Sequence, residues 1–403
     1  MPNELLITKQ ENKILSVQVN EGKILQIHAE DAGQEKSVRL GDIYVGKVRN
    51  IVKNINAAFV EFSKGQMGYL SLSEKRPPIH TQGFPYQEGR VLIGDEIIVQ
   101  VAKEAVKTKP PTLTGFIDFT GRYVVLTVGR PQTSISKKIR DKSVREGLNQ
   151  ILTEYSCAEY GFIARTNSAN VPEELLRQEV QALIQTYQEM MSYGLHKTPF
   201  TCLQKAPAGY LCDIRDGYME QVERIITDED KLYQEIRQYL EAFWPEEMDK
   251  LVLWDPVNGK MDAVYNISRT LEHALMPKVW LKSGAYLVIQ PTEALVSIDV
   301  NTGKAISRKK DVQKTYLKVN KEAAYEIAHQ LRLRNLSGMI LVDFIDMKAE
   351  EDNQELLETL RQAVRSDQIQ TTVIDMTKLG LVELTRKKLR KSLFDQMKEN
   401  KEA

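Results

Sequence analysis

Short runs of alternating apolar and polar residues fill the first quarter of the chain. Residues 4–30 alternate with a period of two and have polar turns at Glu11–Lys13 and Asn20–Lys23, which predicts a β-meander. Short apolar runs separated by glycine turns continue over residues 36–104 and favour a small barrel. The paired prolines of "KTKPP" (107–111) predict a boundary there, because proline donates no hydrogen bond to a sheet.

Beyond residue 117 the pattern becomes mixed, with apolar residues at helical spacing between short apolar runs. This alternation favours an α/β protein built from several subdomains. The predicted strands are 119–129, the start of 161–168, the strand-like segment 208–230, two strands within 284–301, 338–343 and 370–375. The predicted helices are 144–155, 172–192, 230–243, 265–276, 311–334, 350–366 and a closing helix from 380.

The bulk composition narrows the class of protein. A chain of 403 residues is longer than one hydrophobic core usually serves, so we expect about two to four domains. No apolar run approaches the ~20 residues that span a bilayer, and the N-terminus lacks a signal-peptide core. We therefore expect a cytoplasmic protein with no membrane partner. The three cysteines are widely spaced and the five histidines are scattered, so a structural zinc site is not expected.

The charges balance overall but are unevenly placed. There are 55 basic and 55 acidic residues, and basic residues concentrate in 304–334 and in "TRKKLRK" (385–391), whereas acidic residues dominate 213–249. Such asymmetry is compatible with a basic groove on a neutral protein. Ordinary solvated helix faces would give the same pattern, so both interpretations stay open.

Two apolar runs each end in a carboxylate. Asp299 follows an apolar run in "LVSIDVNTGK" (295–304), and Asp343 follows one in "MILVDFIDM" (339–347). Both runs read as strands made for a core, and burying an unpaired carboxylate costs several kcal/mol or shifts its pKa until it neutralises. We therefore expect a cation between the two strands.

The barrel segment carries a recognisable arrangement. "GDIYVGKVRNIVKNINAAFVEFSKGQMGYLSLSE" (41–74) resembles the OB-fold RNA-binding module called the S-one motif. Phe59 and Tyr69 fall on neighbouring strands, where they can share a face and stack bases for about 1–3 kcal/mol each. Lys109, at the exit of the barrel, is a candidate phosphate contact. The alternative is that both aromatic residues belong to the barrel core.

Three segments around the carboxylates are typical of one family. "PTEALVSIDVN" (291–301), "EAAYEIAHQLRLRNLSGMILVDFIDM" (322–347) and "LGLVELTRKKL" (379–389) resemble the active-site signature of the ribonuclease E/G family, and the resemblance covers nearly the whole chain. It implies that Asp299 and Asp343 hold one Mg²⁺ and that Asn301 orients the scissile phosphate.

The resemblance further implies an endoribonuclease. Mg²⁺ prefers oxygen ligands and activates water, so hydrolysis of single-stranded RNA would leave a 5′-monophosphate and a 3′-hydroxyl. For Asp346 we expect a role in supporting the site or in capping a helix. Lys304 and Arg308 follow Asn301 and are candidates for the RNA backbone.

Family members also sense the 5′-monophosphate of the substrate. The matching residues here are Gly121 and Val125 in one strand, with Arg165 and Thr166 after another. A guanidinium and a hydroxyl suit a phosphate, and Gly121 leaves room for the ligand to approach the backbone. A further basic residue of that pocket is matched by Gln370, so sensing is expected to be weaker in this chain or to be partly supplied from elsewhere.

By resemblance, the chain divides into four parts. An RNase H-like subdomain and an inserted OB-fold barrel are followed by a 5′-sensor region and a DNase I-like catalytic subdomain. Their expected bounds are 1–35 with 210–275, 36–116, 117–209 and 276–403.

The resemblance leaves the partners and the physiological role less defined. It implies roles in rRNA and tRNA processing and in mRNA decay. The chain lacks the zinc link and the small dimerisation domain of better-known members, so we expect no zinc and leave open whether copies of the chain associate. The alternatives are a non-catalytic RNA-binding protein and a ribosome-associated factor. The first fits poorly, since a pure binder gains nothing from carboxylates that face phosphates, and sedimentation of a catalytically dead variant with ribosomal particles would test the second.

Overall fold

The computed structural model describes residues 3–33, 38–73, 78–81, 90–105, 109–217, 222–304 and 312–398. Its strands are β1 (Glu4–Gln10), β2 (Lys13–Asn20), β3 (Lys23–Asp31), β4 (Ile43–Val52), β5 (Ala57–Ser63), β6 (Gln66–Ser71), β7 (Glu96–Lys103), β8 (Thr112–Thr114), β9 (Asp118–Thr120), β10 (Val124–Val128), β11 (Ser134–Ile135), β12 (Tyr160–Ala164), β13 (Cys202–Gln204), β14 (Arg224–Thr227), β15 (Leu251–Leu253), β16 (Lys278–Trp280), β17 (Tyr286–Pro291), β18 (Leu295–Asn301), β19 (Gly338–Asp343), β20 (Thr371–Met376) and β21 (Leu381–Arg386). Its α-helices are α1 (Lys142–Tyr155), α2 (Glu173–Gly194), α3 (Gly209–Asp216), α4 (Asp230–Phe243), α5 (Met261–Tyr265), α6 (Ile267–Leu275), α7 (Val312–Leu333), α8 (Glu350–Ala363) and α9 (Leu393–Met397).

The chain forms two compact units. One unit consists of residues 1–33 and 209–403, and the other is the segment 34–208 inserted between them. Each unit contains two sheets, and the whole is a mixed α/β architecture. No helix in the described part of the chain is both long and apolar enough to cross a membrane.

The inserted unit begins with a closed barrel. Strands β4, β5, β6, β8 and β7 follow one another around it, and β4 also pairs with β7 to close the ring, which is consistent with an OB fold. The predicted boundary at the paired prolines is wrong, because β8 directly follows them and completes the barrel. Pro111 tolerates that place since its carbonyl oxygen only accepts a hydrogen bond, from the Tyr69 N–H at 2.8 Å.

A second sheet of the inserted unit has the strand order β11-β12-β10-β9. The single strand predicted over residues 119–129 is a hairpin instead, β9 and β10, with a turn at 121–123. The sheet and part of the barrel share one hydrophobic cluster, in which Val45 of β4 and Phe162 of β12 are both fully buried.

In the other unit, the predicted N-terminal meander is confirmed as β1, β2 and β3, which β14 and β15 extend on the β1 side. The strand-like character predicted over residues 208–230 is wrong for its first part, which is helix α3. The Glu30 carboxylate accepts the N–H groups of Gly209 and Tyr210 at 2.8 and 2.9 Å and so caps the helix. Tyr210 and Ile214, one turn apart, are its buried residues.

The last sheet has the order β16-β17-β18-β19-β21-β20. Strands β18 and β19 are parallel, and α7 makes the crossover between them. Side chains of α7 and α8, such as Ile327 and Leu360, pack with Ile298 and Val342 of the sheet in one buried cluster. The helices therefore cover one face of this sheet.

The closing helix predicted from residue 380 is wrong. Residues Leu381–Arg386 are strand β21, which pairs with both β19 and β20. Val382, Leu384 and Arg386 are buried and alternate with more exposed residues, which is the period of a strand.

Candidate active site

Two aspartates meet at the ends of the parallel strands β18 and β19. The register pairs Asp299 directly with Asp343, so their backbones lie about 4.8 Å apart across adjacent strands. Because the two strands are parallel, their carboxyl ends share one edge of the sheet. The structure thus brings together two residues that are far apart in the sequence.

Both carboxylates point away from the core. Ile298 and Val342 are fully buried against the helices, whereas Asp299 and Asp343 are exposed on the opposite face. The expectation that these strands bury their carboxylates is therefore wrong. The runs read as uniformly apolar, but the strand alternates, and Met339 is 56% exposed on the open face.

The pair concentrates negative charge. The amide Nδ2 of Asn301 donates to Oδ2 of Asp299 at 2.6 Å, which places all three predicted catalytic residues together. Among the described residues, none pairs with the carboxylate of Asp343 through a hydrogen bond or a cation. Partial desolvation raises the pKa of Asp343, and the charges of Asp299 and Asp346 raise it further.

The donor set fits a hard cation that keeps much of its water. Among the described residues, no group of three or more Asp, Glu, His or Cys side chains is placed to hold a metal ion, so a fully protein-built cage is not present there. Two exposed carboxylates in register, with a third charge from Asp346 nearby, match instead the one or two carboxylates by which Mg²⁺ is usually bound. The remaining ligands of such a site are waters and substrate phosphate.

Asp346 lies in the loop after β19, and its predicted capping role is not observed. The next helix, α8, has Ala349 at its N-cap and no side-chain cap. The loop itself is held by Asn320 of α7, which is fully buried. Its Nδ2 donates to the carbonyl oxygen of Ile345 at 2.8 Å, and its Oδ1 accepts the Ile345 N–H at 3.1 Å.

Asn320 is a positioning residue that the sequence analysis missed. The signal was present, since a polar residue interrupts the buried stripe that includes Val319 and Ala323. A buried amide needs hydrogen-bond partners, and here they are the backbone between Asp343 and Asp346.

Some of the described basic residues in 304–334 are engaged in structural contacts. Lys321 pairs with Glu355, and Arg334 is buried, with Nη1 donating to the Met276 carbonyl oxygen at 2.7 Å. Lys304 is exposed beside the site, whereas Arg308 lies outside the described residues.

The second basic cluster is also partly internal. Arg386 is buried and pairs with Asp367 at 2.7 Å, and Arg390 pairs with Asp213 at 2.7 Å. The pKa of Asp213 is held well below its usual range by Arg390 and His28, against the opposing effect of burial. Two of the basic residues of 385–391 thus stabilise the fold.

The four predicted 5′-phosphate residues gather at one end of the second sheet of the inserted unit. Nη1 of Arg165 donates to the Gly121 carbonyl oxygen at 2.6 Å, and Val125 lies beside Ile163 on adjacent strands. The hydroxyls of Thr166 and Ser136 are 3.0 Å apart. Val125, Arg165 and Thr166 are all partly exposed, so a ligand can reach them.

A carboxylate missed by the sequence analysis organises this pocket. Glu179 of α2 accepts the N–H groups of Arg122, Tyr123 and Val124 at 2.7 to 2.9 Å. This contact breaks the predicted strand into a hairpin. Burial raises the pKa of Glu179, while the three N–H groups and Arg165 oppose the rise.

The same carboxylate explains Gly121. A Cβ at Gly121 would lie 2.6 Å from the carboxyl carbon of Glu179, which is closer than carbon atoms approach without a shift. The glycine is therefore required by the internal contact with Glu179, whereas the sequence analysis had explained it by the approach of a ligand. Gln370 belongs to the other unit, where it is exposed and its carbonyl oxygen accepts the Lys387 N–H at 3.0 Å.

The predicted aromatic pair lies on the outside of the barrel. Phe59 and Tyr69 are register partners with ring centroids 6.2 Å apart, and both are partly exposed. The neighbouring residues Val60 and Leu70 point into the barrel core instead. The alternative that the pair belongs to the core is wrong. Lys109 is exposed just before the segment that pairs with Tyr69.

Comparison with known proteins adds an independent line of evidence. A sequence profile described as "Ribonuclease E/G family" matches residues 118–389. Ribonuclease E of Nostoc sp. is 32% identical over 403 residues, which cover 98% of this chain and 57% of that protein. Ribonuclease G of Salmonella typhimurium is 32% identical over 405 residues, covering 98% of this chain and 81% of that protein. Ribonuclease G of Haemophilus influenzae is 32% identical over 400 residues, covering 97% and 80%.

Proposed function

This chain belongs to the ribonuclease E/G family, and from that premise we propose that it is an endoribonuclease that hydrolyses phosphodiester bonds in single-stranded RNA. The observation that carries the proposal is the in-register pair of exposed carboxylates, Asp299 and Asp343. A protein that only bound RNA would gain nothing from two like charges that repel phosphate.

Asp299 and Asp343 would hold Mg²⁺, which when bound neutralises charge on the phosphate and lowers the pKa of a coordinated water. Asn301 is hydrogen-bonded to Asp299 through its side-chain amide and would orient the scissile phosphate. Asn320 keeps the loop after Asp343 in place through the Ile345 backbone. The products would be a 5′-monophosphate and a 3′-hydroxyl.

The barrel would hold the RNA strand. Phe59 and Tyr69 present rings on its outer face, where bases stack without regard to sequence, and Lys109 would meet a phosphate. The segment 36–116 would thus act as the RNA-binding OB-fold subdomain.

Arg165 and Thr166, with Gly121 and Val125, would recognise a 5′-monophosphate. The positive charge of Arg165 opposes the rise in the pKa of the nearby Glu179 carboxyl, so part of that positive charge is already engaged inside the protein. Gln370 adds no charge. We expect a preference for 5′-phosphorylated substrates that is weaker than a fully cationic pocket would give.

The finer assignments belong to the same proposal. Residues 1–35 with 210–275 would form an RNase H-like subdomain, 117–209 the 5′-sensor region and 276–403 a DNase I-like catalytic subdomain. The expected setting is the cytoplasm, with roles in rRNA and tRNA processing and in mRNA decay.

The decisive experiment is cleavage of an A/U-rich single-stranded oligoribonucleotide in Mg²⁺, comparing wild type with Asp299→Asn and Asp343→Asn. Loss of one Mg²⁺ ligand should lower kcat by at least about 100-fold, since each carboxylate supports the same transition state. Exposed Glu350→Gln, on α8, is the matched control and should cleave normally.

The same RNA should be made with a 5′-monophosphate and with a 5′-hydroxyl. Wild type should prefer the phosphorylated form, and Arg165→Ala should abolish that preference. If wild type binds the RNA and never cuts it, the endonuclease proposal fails. Co-sedimentation of Asp343→Asn with ribosomes would then favour a ribosome-associated factor.

A further inference from the structure

An exposed aromatic pair with a lysine lies at the edge of the sheet that carries the carboxylates. Trp280 of the edge strand β16 is 62% exposed, and its ring centroid is 5.2 Å from that of Tyr286 on β17. The ammonium group of Lys278 lies 4.1 Å from the Trp280 centroid and 3.7 Å from the Tyr286 centroid. These three side chains form what we call the edge notch.

The register places the edge notch in line with the carboxylates. Trp280 pairs with Tyr286, which pairs with Asn301. The next row on the same face runs from Lys278 through Val288 to Asp299. The first and last residues of each row are two strand spacings apart, which is about 10 Å between their backbones.

The edge notch and the carboxylates share one face of the sheet. Residues opposite each other in a ladder point to the same face, and the hydrogen bond from Asn301 to Asp299 shows that these two side chains do so. The contact of Lys278 with both rings adds Trp280 and Tyr286 to the set. Val279, between them, packs on the buried side.

Lys278 places a positive charge at one end of the row that carries the negative charges of Asp299 and Asp343 at the other. Asp299 and Asp343 are negative and suit a cation, whereas Lys278 is a cation held in place by two aromatic rings at a favourable distance. A phosphate that approaches the carboxylates through a bound cation has its neighbouring phosphate within reach of this ammonium group. The exposed ring of Trp280 then offers a surface for a base.

We infer that the edge notch binds the nucleotide next to the scissile phosphate. Trp280 stacks on its base, Tyr286 supports the tryptophan, and Lys278 contacts the phosphate of the same strand. The occupant is a nucleotide of single-stranded RNA, because only an unstacked base can stack on the exposed ring of Trp280. This inference deepens the proposed function and rests on it.

The test measures binding and cleavage separately. Wild type, Trp280→Ala, Trp280→Phe and Lys278→Met are titrated with an oligoribonucleotide that has a fluorescent 3′ end, and with versions in which one nucleotide at a time is abasic. Phe243→Ala, which removes a 59% exposed aromatic residue on α4, is the matched control. Thermal unfolding checks that each variant is folded.

Trp280→Ala should weaken binding of the intact RNA by about 5- to 150-fold, the range for losing one base–aromatic stack, and Trp280→Phe should recover much of the loss. One abasic position should weaken wild type by a similar factor and have no further effect on Trp280→Ala. Lys278→Met should weaken all versions alike and lower the salt dependence by about one unit of slope.

Mapping the cleavage site on the same RNA completes the test. The sensitive abasic position should lie next to the cut phosphate. The inference would be overturned if Trp280→Ala bound intact RNA as tightly as wild type. It would also be overturned if every abasic substitution weakened binding to Trp280→Ala by the same factor as it weakens binding to wild type. If wild type binds with these signatures and does not cut, the edge notch stands as an RNA contact and the endonuclease proposal fails.

Discussion

Asp343 illustrates how neighbouring charges tune a single residue. Its pKa is raised by partial desolvation, by Asp299 in register and by Asp346 in the following loop. A carboxyl whose folded pKa is raised takes up a proton on folding, so its contribution to stability is favourable at low pH and is lost as pH rises through that pKa. At neutral pH the free carboxylate pair therefore opposes folding.

We expect Asp343→Asn to be slightly more stable than wild type in a chelating buffer at pH 7. The gain should be less than about 1 kcal/mol, because the side chain is exposed and solvent screens the repulsion, and it should vanish toward acidic pH. Saturating Mg²⁺ should reverse the order, stabilising wild type by about 2.7 kcal/mol at a hundredfold excess over Kd. Calorimetric Tm values with and without Mg²⁺ measure both effects.

Asp375→Asn provides the control, since Asp375 is an exposed residue of β20 in the same sheet. It should show neither the pH-dependent gain nor the loss of Mg²⁺ response. If Mg²⁺ stabilises Asp343→Asn as strongly as wild type, Asp343 is not a ligand.

At the residue scale the sequence named candidate residues but not the groups that surround them. Asp299, Asn301 and Asp343 were named from a motif, and the structure places them together. Glu179 and Asn320 were missed, because their partners are backbone groups that become neighbours only after folding. A sequence shows polar residues but not the N–H groups they satisfy.

Strands β20 and β21 show how one buried ion pair holds an element. Arg386, 2% exposed, donates to Asp367 and also to the side-chain oxygen of Asn335 at 2.8 Å and the carbonyl oxygen of Leu336 at 3.0 Å. These contacts link β21 to the segment that precedes β19. The arginine is thus a structural part of the signature "LGLVELTRKKL".

Arg386→Met should lower the free energy of unfolding by about 3–5 kcal/mol, because it leaves the Asp367 carboxylate buried without its cation. Urea denaturation measures the loss. The neighbouring Lys387→Met, at an exposed position, should change stability by no more than about 0.5 kcal/mol. Equal stability of the two variants would contradict the structural role of Arg386.

On the barrel strands, the outward-facing rings and the buried core residues should have different roles, the first in RNA binding and the second in stability. Phe59→Ala and Tyr69→Ala remove rings from the outer face and should each weaken RNA binding by about 5- to 150-fold, with only a small change in Tm. Phe62→Ala, at a fully buried position in the barrel core, should instead cost about 3–5 kcal/mol of stability. RNA titrations and thermal melts on the three variants distinguish the roles.

Elements with a clear period were predicted well, and the errors came from tertiary contacts. The long helices α2 and α7 and the meander matched their patterns. The segment at 209–216 forms a helix because Glu30, far away in the sequence, caps it. The segment after residue 380, predicted as a helix, forms a strand because β19 and β20 both pair with it.

At the scale of the molecule, one compact unit is interrupted by another. The two segments of the interrupted unit are in contact, since Glu30 caps the helix that begins at Gly209. Each unit has buried clusters of its own, with Ile298 central in one and Phe162 in the other. The sequence suggested an inserted barrel at 36–116, whereas the compact inserted unit spans residues 34–208.

Replacing residues 34–208 with a short Gly/Ser linker should leave a chain that folds cooperatively and still gains stability from Mg²⁺. The isolated segment 34–208 should fold and bind RNA with strong salt dependence. Circular dichroism, thermal melts and RNA titrations test both pieces. A linker chain without a cooperative transition would show that the units depend on each other.

The place of β1 has a consequence for synthesis on the ribosome. This strand lies between β2, which follows it at once, and β14, which begins about 210 residues later. At about 5–20 residues per second, the nascent chain waits on the order of 10–40 s between the two pairings. Throughout that interval the N-terminal meander presents an open strand edge, which is a template for unwanted pairing. The order of translation therefore leaves the β1 edge of the meander unpaired until β14 has been made.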